Sequence, residues 1–268
     1  MTKLVQWKPQ TTYKANLQRV GTIIPETITL MGLLARSYDW GEVKELALKH
    51  NLLKKKSSFT INSVLVTFKQ RFLSNDSDLP GARDVAKILS KQLPMSTKTQ
   101  VLLPYVCESD RLISELILRL VLPNLRKGDT KLYQDNIVGF LDEEGKTHGE
   151  LRRWSDYLRK RWARGFIALL RDFGFMEAMP SNKLLYPTLR VEAFMFFLLG
   201  MVERGLSIRR ALNDNLWNYY AIGAEEKEEL LKEAQIKGWI HFLKAGEIVE
   251  ISLEFSTLGV WLDALGQG

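Results

Sequence analysis

Helical spacing of apolar residues is the feature that most limits how this chain can fold. Apolar residues recur every three or four positions over residues 23–34, 40–50 and 151–173, whereas strict alternation with polar residues occurs only over residues 249–255. With 46% hydrophobic residues in 268, the chain can bury a core without disulfides or metals. The sequence therefore predicts a mainly α, multi-helix protein with one β-hairpin near its end.

The first 78 residues predict a helix-turn-helix unit. Helical patterns over 23–34 and 40–50 precede a third over 59–73, and Asp39 is a plausible N-cap of the second helix. Ser57 or Ser58 can cap the third. Three helices with a short connection between the last two are typical of this motif. The loop-like composition of residues 74–81 ends the unit, so its predicted bounds are 1–78.

Two further units follow in the predicted organisation. A central helical region, residues 79–180, holds predicted helices over 82–93, 97–122, 130–141 and 151–173. Pro104 is expected to divide the second of these and Pro123 to end it, and residues 142–150 read as a polar loop. The last unit, residues 181–268, has predicted helices over 191–203, 207–215 and 224–237 before the hairpin, an order typical of a winged-helix-like unit.

Acidic residues crowd the helix that would recognise DNA in such a winged unit. A surface of this charge would repel phosphate, so we expect the C-terminal unit to hold a protein partner. The acidic residues of this predicted helix are Glu225, Glu226, Glu228, Glu229 and Glu233.

The most hydrophobic run, residues 193–202, predicts a buried helix, because it has about half of the roughly 20 residues that cross a bilayer. The first ten residues lack the apolar core of a secretory signal. Cys107 is the single cysteine, so one chain can form neither a disulfide nor a Cys-based metal cluster. We expect a cytoplasmic protein that does not enter the membrane.

Positive charge is concentrated in two parts of the chain. Lys and Arg outnumber Asp and Glu by 12 to 4 in residues 1–73 and by 7 to 2 in residues 151–175, within a formal net charge of +7. The other parts are acidic on balance. Concentrated positive charge attracts polyanions, which favours nucleic acid as a partner.

Three adjacent lysines, Lys54 to Lys56, precede the third predicted helix, and we call them the lysine segment. On a helical wheel, polar Asn62, Ser63, Thr67 and Gln70 lie opposite the apolar side, with Lys69 and Arg71 beside them. Amides and hydroxyls read base edges and lysines bind phosphates. The alternative is a solvated helix after an ordinary basic loop. The predicted nucleic-acid contacts here are Lys54, Lys55, Lys56, Ser58, Asn62 and Lys69.

Four cations in the pattern over 151–173 form a second candidate, the basic stripe: Arg153, Lys160, Arg164 and Arg171. In one continuous helix they would fall within about 40° of one another and extend about 27 Å. Arg161, beside Lys160, is a further candidate. Such a line of charge matches several phosphates of a duplex. The alternatives are a solvated face or a face covered by the acidic residues of 142–150.

Catalytic signatures are absent from the sequence. His50, His148 and His241 are far apart, and no glycine-rich phosphate loop or His/Cys metal-binding spacing occurs. Asp142, Glu143 and Glu144 are explained most simply as part of a solvated loop. We therefore predict no enzyme activity, no catalytic residue, no metal site and no cofactor.

Two stretches of the sequence carry the pattern of a known family. The first contains Tyr38-Asp39-Trp40-Gly41-Glu42-Val43, Asn51-Leu52-Leu53 and Lys56-Ser57-Ser58, and the second contains Arg153-Trp154-Ser155, Lys160 and Leu169-Leu170-Arg171-Asp172-Phe173-Gly174-Phe175. Over roughly residues 13–177 the chain thereby resembles the BrxA family, a small component of bacterial BREX phage-exclusion systems. The resemblance implies an all-helical or winged-helix, NusB-like protein that binds DNA beside other BREX components, and it supplies no catalytic residue.

Two other functions remain open from the sequence. A NusB-like RNA-binding protein would present the same helices and basic charge, and a scaffold of the defence complex would use the basic stripe on an acidic protein. If double-stranded DNA is the partner, replacing Arg153, Lys160 and Arg164 with Glu should weaken binding to all sequences.

Overall fold

A computed structural model describes residues 12–37, 39–73, 78–246 and 248–265. Residues 1–11, Tyr38 of the first resembling stretch and residues 74–77 of the predicted boundary loop lie outside the described residues. The chain is mainly helical with a two-stranded antiparallel hairpin, as the sequence predicts.

Side chains cap the N-terminal helices where the sequence predicts it. Asp39 Oδ1 accepts a 2.7 Å hydrogen bond from the backbone N–H of Glu42, and Ser57 Oγ accepts one of 3.2 Å from Thr60. Ser57 is therefore the cap of the third predicted helix. The first helices are α1 Leu17–Val20, α2 Ile24–Ser37, α3 Trp40–Lys49, α4 Ser58–Phe72 and α5 Ala82–Ser90.

The connection between α3 and α4 differs from the predicted short turn. Helix α3 packs against α2 and α4, but residues 50–57 separate α3 from α4, whereas a helix-turn-helix usually has three or four residues there. The Asn51 side chain closes this longer connection. Its Oδ1 accepts from the backbone N–H of Lys55 and its Nδ2 donates to the Lys55 carbonyl, both at 2.9 Å.

The central region breaks at Asp110 and not at the predicted Pro104, which lies inside α6. Asp110 Oδ1 accepts hydrogen bonds from the backbone N–H groups of Leu112 and Ile113, so a new helix starts there. Pro123 lies in the first turn of a helix, where a missing N–H costs little. The elements are α6 Met95–Ser109, α7 Arg111–Leu116, a π-helical turn Ile117–Val121, α8 Leu122–Arg126, α9 Gln134–Thr147, α10 Gly149–Arg152 and α11 Asp156–Asp172.

The pattern over 151–173 forms two helices and not one. Ser155 has an extended backbone, and its Oγ accepts a 3.3 Å hydrogen bond from the N–H of Leu158, so α11 begins after it. Arg153 therefore lies in the turn before α11. Gly174, with a φ of 78°, follows the end of α11 as predicted. Helix α9 includes residues 142–147, which the sequence analysis placed in a loop.

The last part contains the predicted helices and the hairpin. Phe242 faces Ile251 in the register of the two strands, and Ile251 and Leu253 are half-buried whereas Glu250 and Ser252 are exposed. The sequence analysis did not predict the 3₁₀ helix or α15. The elements are α12 Val191–Glu203, α13 Ile208–Leu212, a 3₁₀ helix Asn215–Tyr220, α14 Ala224–Ile236, β1 Ile240–Ala245, β2 Ile248–Leu253 and α15 Leu258–Ala264.

Helix α12, the hydrophobic run, is central to the core. Its residues 191–201 are all buried, and it packs against α6, α13, α14 and α15. Buried apolar residues form one cluster from Tyr13 to Leu265. Contacts of α2 with α5, of α5 with α15 and of α6 with α12 cross the predicted unit boundaries. The division into three units stays a prediction.

A close approach at Gly200 fixes the segment before α5 against α12. A Cβ atom at position 200 would lie 2.5 Å from Pro80 Cγ, so Pro80 can pass over α12 only where the helix has no side chain. The Tyr105 hydroxyl on α6 donates a 2.7 Å hydrogen bond to the Pro80 carbonyl. Two contacts therefore hold Pro80 in place.

None of the helices within the described ranges combines the length and the apolar character that crossing a membrane requires.

Candidate nucleic-acid interface

The lysine segment contributes two open cations and one paired cation. Lys54 and Lys56 are exposed, and neither has a carboxylate partner in the described part of the chain. Lys55 forms an ion pair with Glu26 on α2, whose side chain is only 13% exposed. Lys55 therefore joins the α3–α4 connection to α2, and its charge is largely neutralised.

The solvent-facing side of α4 carries three of the predicted nucleic-acid contacts, but two residues predicted beside them are buried. Ser58, Asn62 and Lys69 are exposed. Thr67 is buried, and its hydroxyl donates a 2.9 Å hydrogen bond to the Ser63 carbonyl. Arg71 is also buried, and its Nη1 donates a 2.7 Å hydrogen bond to the Thr22 carbonyl. The prediction that Arg71 flanks this face is wrong.

Two large apolar side chains on α4 point to solvent beside Asn62. Phe59 is 69% exposed and Val66 is 58% exposed. Positions 59, 62 and 66 are three and four residues apart, so they share one face of the helix. The sequence analysis missed Phe59 and Val66, although neither belongs to the apolar side of the wheel. Large apolar residues outside the apolar side of a predicted helix are the signal that could have identified them.

Burial shifts the pKa values of two charged groups beneath this face. Burial lowers the pKa of the Arg71 guanidinium to about 10, an effect that the nearby Asp110 carboxylate opposes. Burial raises the pKa of Asp110 to about 6, opposed by the charge of Arg71 and by the backbone N–H groups that Asp110 accepts from. These two groups therefore stabilise each other's charge in the interior.

Four cations around α11 are exposed and have no carboxylate partner within the described residues: Arg153, Lys160, Arg161 and Arg164. We call them the α11 basic surface. The opposite side of α11 is buried through Trp162, Phe166 and Leu169. Tyr157, 67% exposed, lies one turn before Lys160 and Arg161. This face of α11 is therefore open, basic and partly aromatic.

Arg171, the last residue of the predicted basic stripe, has a different environment. Its Nη2 donates hydrogen bonds to the Ser181 carbonyl at 2.9 Å and to Asn182 Oδ1 at 3.3 Å, and its Nε donates to the Glu177 carbonyl at 3.2 Å. These bonds turn the guanidinium toward the chain that follows α11. With Arg153 outside the helix and Arg171 bonded internally, the stripe of four is not a continuous line along one helix.

Arg159, which the sequence analysis did not single out, holds the break between α10 and α11. Its Nη2 donates to the Leu151 carbonyl at 3.2 Å, and its guanidinium forms ion pairs with Asp142 and Asp156. Nearby acidic side chains have other partners: Glu144 pairs with Arg119 and Glu150 accepts from the Tyr13 N–H. Within the described ranges, the acidic residues of 142–150 therefore do not cover the α11 basic surface.

The sequence profile of the BrxA family matches residues 11–198. The chain belongs to the BrxA family. The match includes both α4 and the α11 basic surface and ends inside α12, so α14 and the hairpin lie beyond it. Membership confirms the resemblance and makes the chain a BREX-associated protein.

A solved structure has a related fold. A crystal structure of an uncharacterized protein from Magnetospirillum magneticum is 14% identical in sequence and superposes with a TM-score of 0.57, covering 69% of this chain and 91% of that one. At this identity the likeness concerns the fold alone. No curated protein sequence matches the chain.

In this BrxA family member, α1 lies between two basic regions, one formed by the lysine segment with α4 and the other by the α11 basic surface. It packs against both α4 and α11, and the Thr22 hydroxyl, shortly after α1, donates a 2.6 Å hydrogen bond to Asp172 Oδ2 at the end of α11. Arg19 is exposed on the last turn of α1. The sequence analysis missed Arg19, because an isolated arginine in a four-residue helix has no pattern to distinguish it.

The histidines and the cysteine of the described residues do not form a catalytic or metal-binding group. His50 and His241 are exposed, and His148 packs edge-on against the Tyr13 ring at 4.7 Å. Cys107 is fully buried, and burial raises the pKa of its thiol well above the ordinary value, which disfavours a reactive thiolate. In the described part of the chain, no three His, Cys, Asp or Glu side chains are grouped as a metal site would need.

Proposed function

We propose that this BrxA family member is a non-enzymatic, double-stranded-DNA-binding component of a BREX phage-defence system. The observation that carries the proposal is the α11 basic surface, whose four cations have no carboxylate partner in the described residues. Their neighbours Arg159 and Arg171 on the same helix form internal hydrogen bonds, and Arg159 also forms ion pairs. Cations left open beside bonded ones are available to an external anion.

Duplex DNA suits such a surface because its phosphates are dense and regular. A duplex carries one charge about every 1.7 Å of its axis, and each cation that neutralises a phosphate releases a condensed counterion. Lys160 and Arg164 are one helical turn apart, so both can meet phosphates of the same backbone. Tyr157 on the same side offers a ring that can pack on a sugar.

Helix α4 is proposed to approach the bases. Lys54 and Lys56 lie before its first turn, where they can hold phosphates while the helix enters the major groove. The Asn62 amide matches the donor and acceptor of adenine, and exposed Phe59 and Val66 can contact thymine methyl groups. This assignment keeps the predicted role of α4, although the connection before it is longer than in most helix-turn-helix proteins.

The test is the affinity for a short fluorescent duplex as a function of salt. Lys160→Glu/Arg164→Glu should weaken binding at least about tenfold and reduce the slope of log affinity against log salt by about 2, for two lost phosphate contacts. The control is Arg209→Glu/Arg210→Glu, which makes the same charge change at two exposed arginines of α13. The control should bind nearly as tightly as the unaltered chain.

Equal losses in the two variants would contradict the proposal, because they would reflect net charge and not a surface. Unchanged affinity in the α11 variant would contradict it as well. A folded RNA that displaces the duplex at lower concentration would assign the surface to RNA. A chain that binds no nucleic acid at moderate salt but forms a stable complex with another BREX component would be a scaffold.

A further inference from the structure

A groove of about 580 Å³ lies between α14 and β1, outside both basic regions. Its helical wall includes Glu228, Lys232, Gln235 and Ile236, and its strand wall includes Phe242 and Leu243. The Gln235 Oε1 accepts a 2.9 Å hydrogen bond from the Phe242 N–H, so the helix and the strand are joined at the groove. The groove is therefore a fixed feature of the fold.

Large apolar side chains on both walls of this groove are open to solvent. Ile236 on the helical wall is 86% exposed, and Leu243 on the strand wall is 52% exposed. Single exposed apolar residues are ordinary, but two on opposite walls of one groove mark a surface that another molecule can cover.

The charge around the groove is negative. Glu225, Glu229 and Glu233 are spaced four residues apart on α14 and share a face with Ile236. Lys244 pairs with Glu228, and Lys232 pairs with both Glu228 and Glu229, so two carboxylates neutralise these two lysines. Glu225, Glu233 and Glu250 have no cationic partner in the described residues. An approaching segment therefore meets uncompensated negative charge beside exposed apolar side chains.

We propose that this groove binds a basic, amphipathic peptide segment of a protein partner. Its apolar side chains would cover Ile236 and Leu243, and its lysines or arginines would pair with Glu233 and Glu225. The acidic row disfavours DNA here, because phosphates would be repelled. This surface is separate from the proposed DNA-binding surfaces and does not depend on them.

The experiment selects peptides from a displayed random library on the purified full chain. The selected peptides should be rich in Lys or Arg with regularly spaced apolar residues. A synthesised peptide should bind at least about tenfold more weakly, or about 1.4 kcal/mol, to Ile236→Asp and to Glu225→Lys/Glu233→Lys. Met179→Asp, at another exposed apolar residue, is the matched control and should bind normally.

Circular dichroism checks that the variants fold, which the exposure of all four substituted side chains favours. Duplex affinity should be unchanged by Ile236→Asp, which separates this site from DNA binding. The proposal fails if no peptide is enriched, if the peptides are acidic, or if Ile236→Asp binds them normally. It also fails if the unaltered chain self-associates through Ile236, because a second copy would then be the occupant.

Discussion

The Thr22 hydroxyl donates a 2.6 Å hydrogen bond to Asp172 Oδ2, while the carbonyl of the same residue accepts a 2.7 Å bond from Arg71 Nη1. One residue thus connects the C-terminal ends of α4 and α11, the two helices that carry the basic regions. Because both ends meet at Thr22, this residue holds α4 and α11 in a fixed relative position, which the proposed contacts of both helices with one duplex require.

Replacing Arg171 with Ala should lower stability, whereas replacing Arg164 with Ala should lower duplex affinity. Arg171→Ala removes three hydrogen bonds to residues 177–182, so the free energy of unfolding in urea should fall by about 1 to 3 kcal/mol with little change in duplex affinity. Arg164→Ala should weaken duplex binding with little change in stability. If Arg171→Ala weakens binding as much as Arg164→Ala and leaves stability intact, the structural role of Arg171 is wrong.

The three lysines of the lysine segment should differ in their contribution to duplex binding. Lys54→Ala and Lys56→Ala should each reduce the salt slope of duplex binding by about 0.9, because each removes one phosphate contact. Lys55→Ala should leave the slope unchanged, since its charge is paired with Glu26. Anisotropy titrations at several salt concentrations measure all three. A slope that falls equally for Lys55→Ala would show that its ion pair opens on binding.

Local patterns in the sequence predicted most of the helices correctly. Asp39 and Ser57 are N-caps that can be recognised from their own neighbourhoods, and the acidic pattern of α14 and the alternation of β2 are equally local. Ser155 was a similar local clue that the sequence analysis did not use, and its cap divides the long pattern into α10 and α11.

The environment of each cation could not be read from the sequence in this way. Arg71 bonds to Thr22, Lys55 pairs with Glu26 and Arg171 bonds to an irregular turn after its helix. These partners become neighbours only when helices pack, so charge counting cannot distinguish bonded cations from open ones. The sequence pattern predicted a basic face in this region. Which cations belong to that face became clear only from the structure.

Stability should increase as the pH falls from about 7 to 5, because burial raises the pKa of Asp110 to about 6 in the folded chain. A raised folded-state pKa means that the stabilisation is complete below the ordinary pKa of about 3.8 and is lost as the pH rises through about 6. The gain is about 1 kcal/mol between pH 7 and 5 and approaches about 3 kcal/mol only below pH 3.8. Urea unfolding at a series of pH values measures it.

Asp110→Asn should flatten this pH dependence, because the amide does not titrate and can still cap α7. Asp135→Asn, at an exposed carboxylate on α9, is the matched control and should keep the dependence. An unaltered slope in Asp110→Asn would assign the effect to another acid such as half-buried Asp84, whose pKa desolvation also raises.

Two helical glycines should respond oppositely to alanine. Gly200→Ala places a Cβ against Pro80, so thermal unfolding should show a loss of about 1 to 3 kcal/mol. Gly139→Ala on α9 meets no atom within 4 Å and should gain up to about 1 kcal/mol from helix propensity. A gain in stability for Gly200→Ala would show that the segment around Pro80 moves freely.

The fit between Gly200 and Pro80 has a consequence for how relatives can diverge. A side chain at position 200 can be accepted only if the segment at position 80 shifts or shortens, so the two positions should change together during evolution. Co-variation of this pair across an alignment would then report whether a relative keeps the same crossing over α12, without solving its structure.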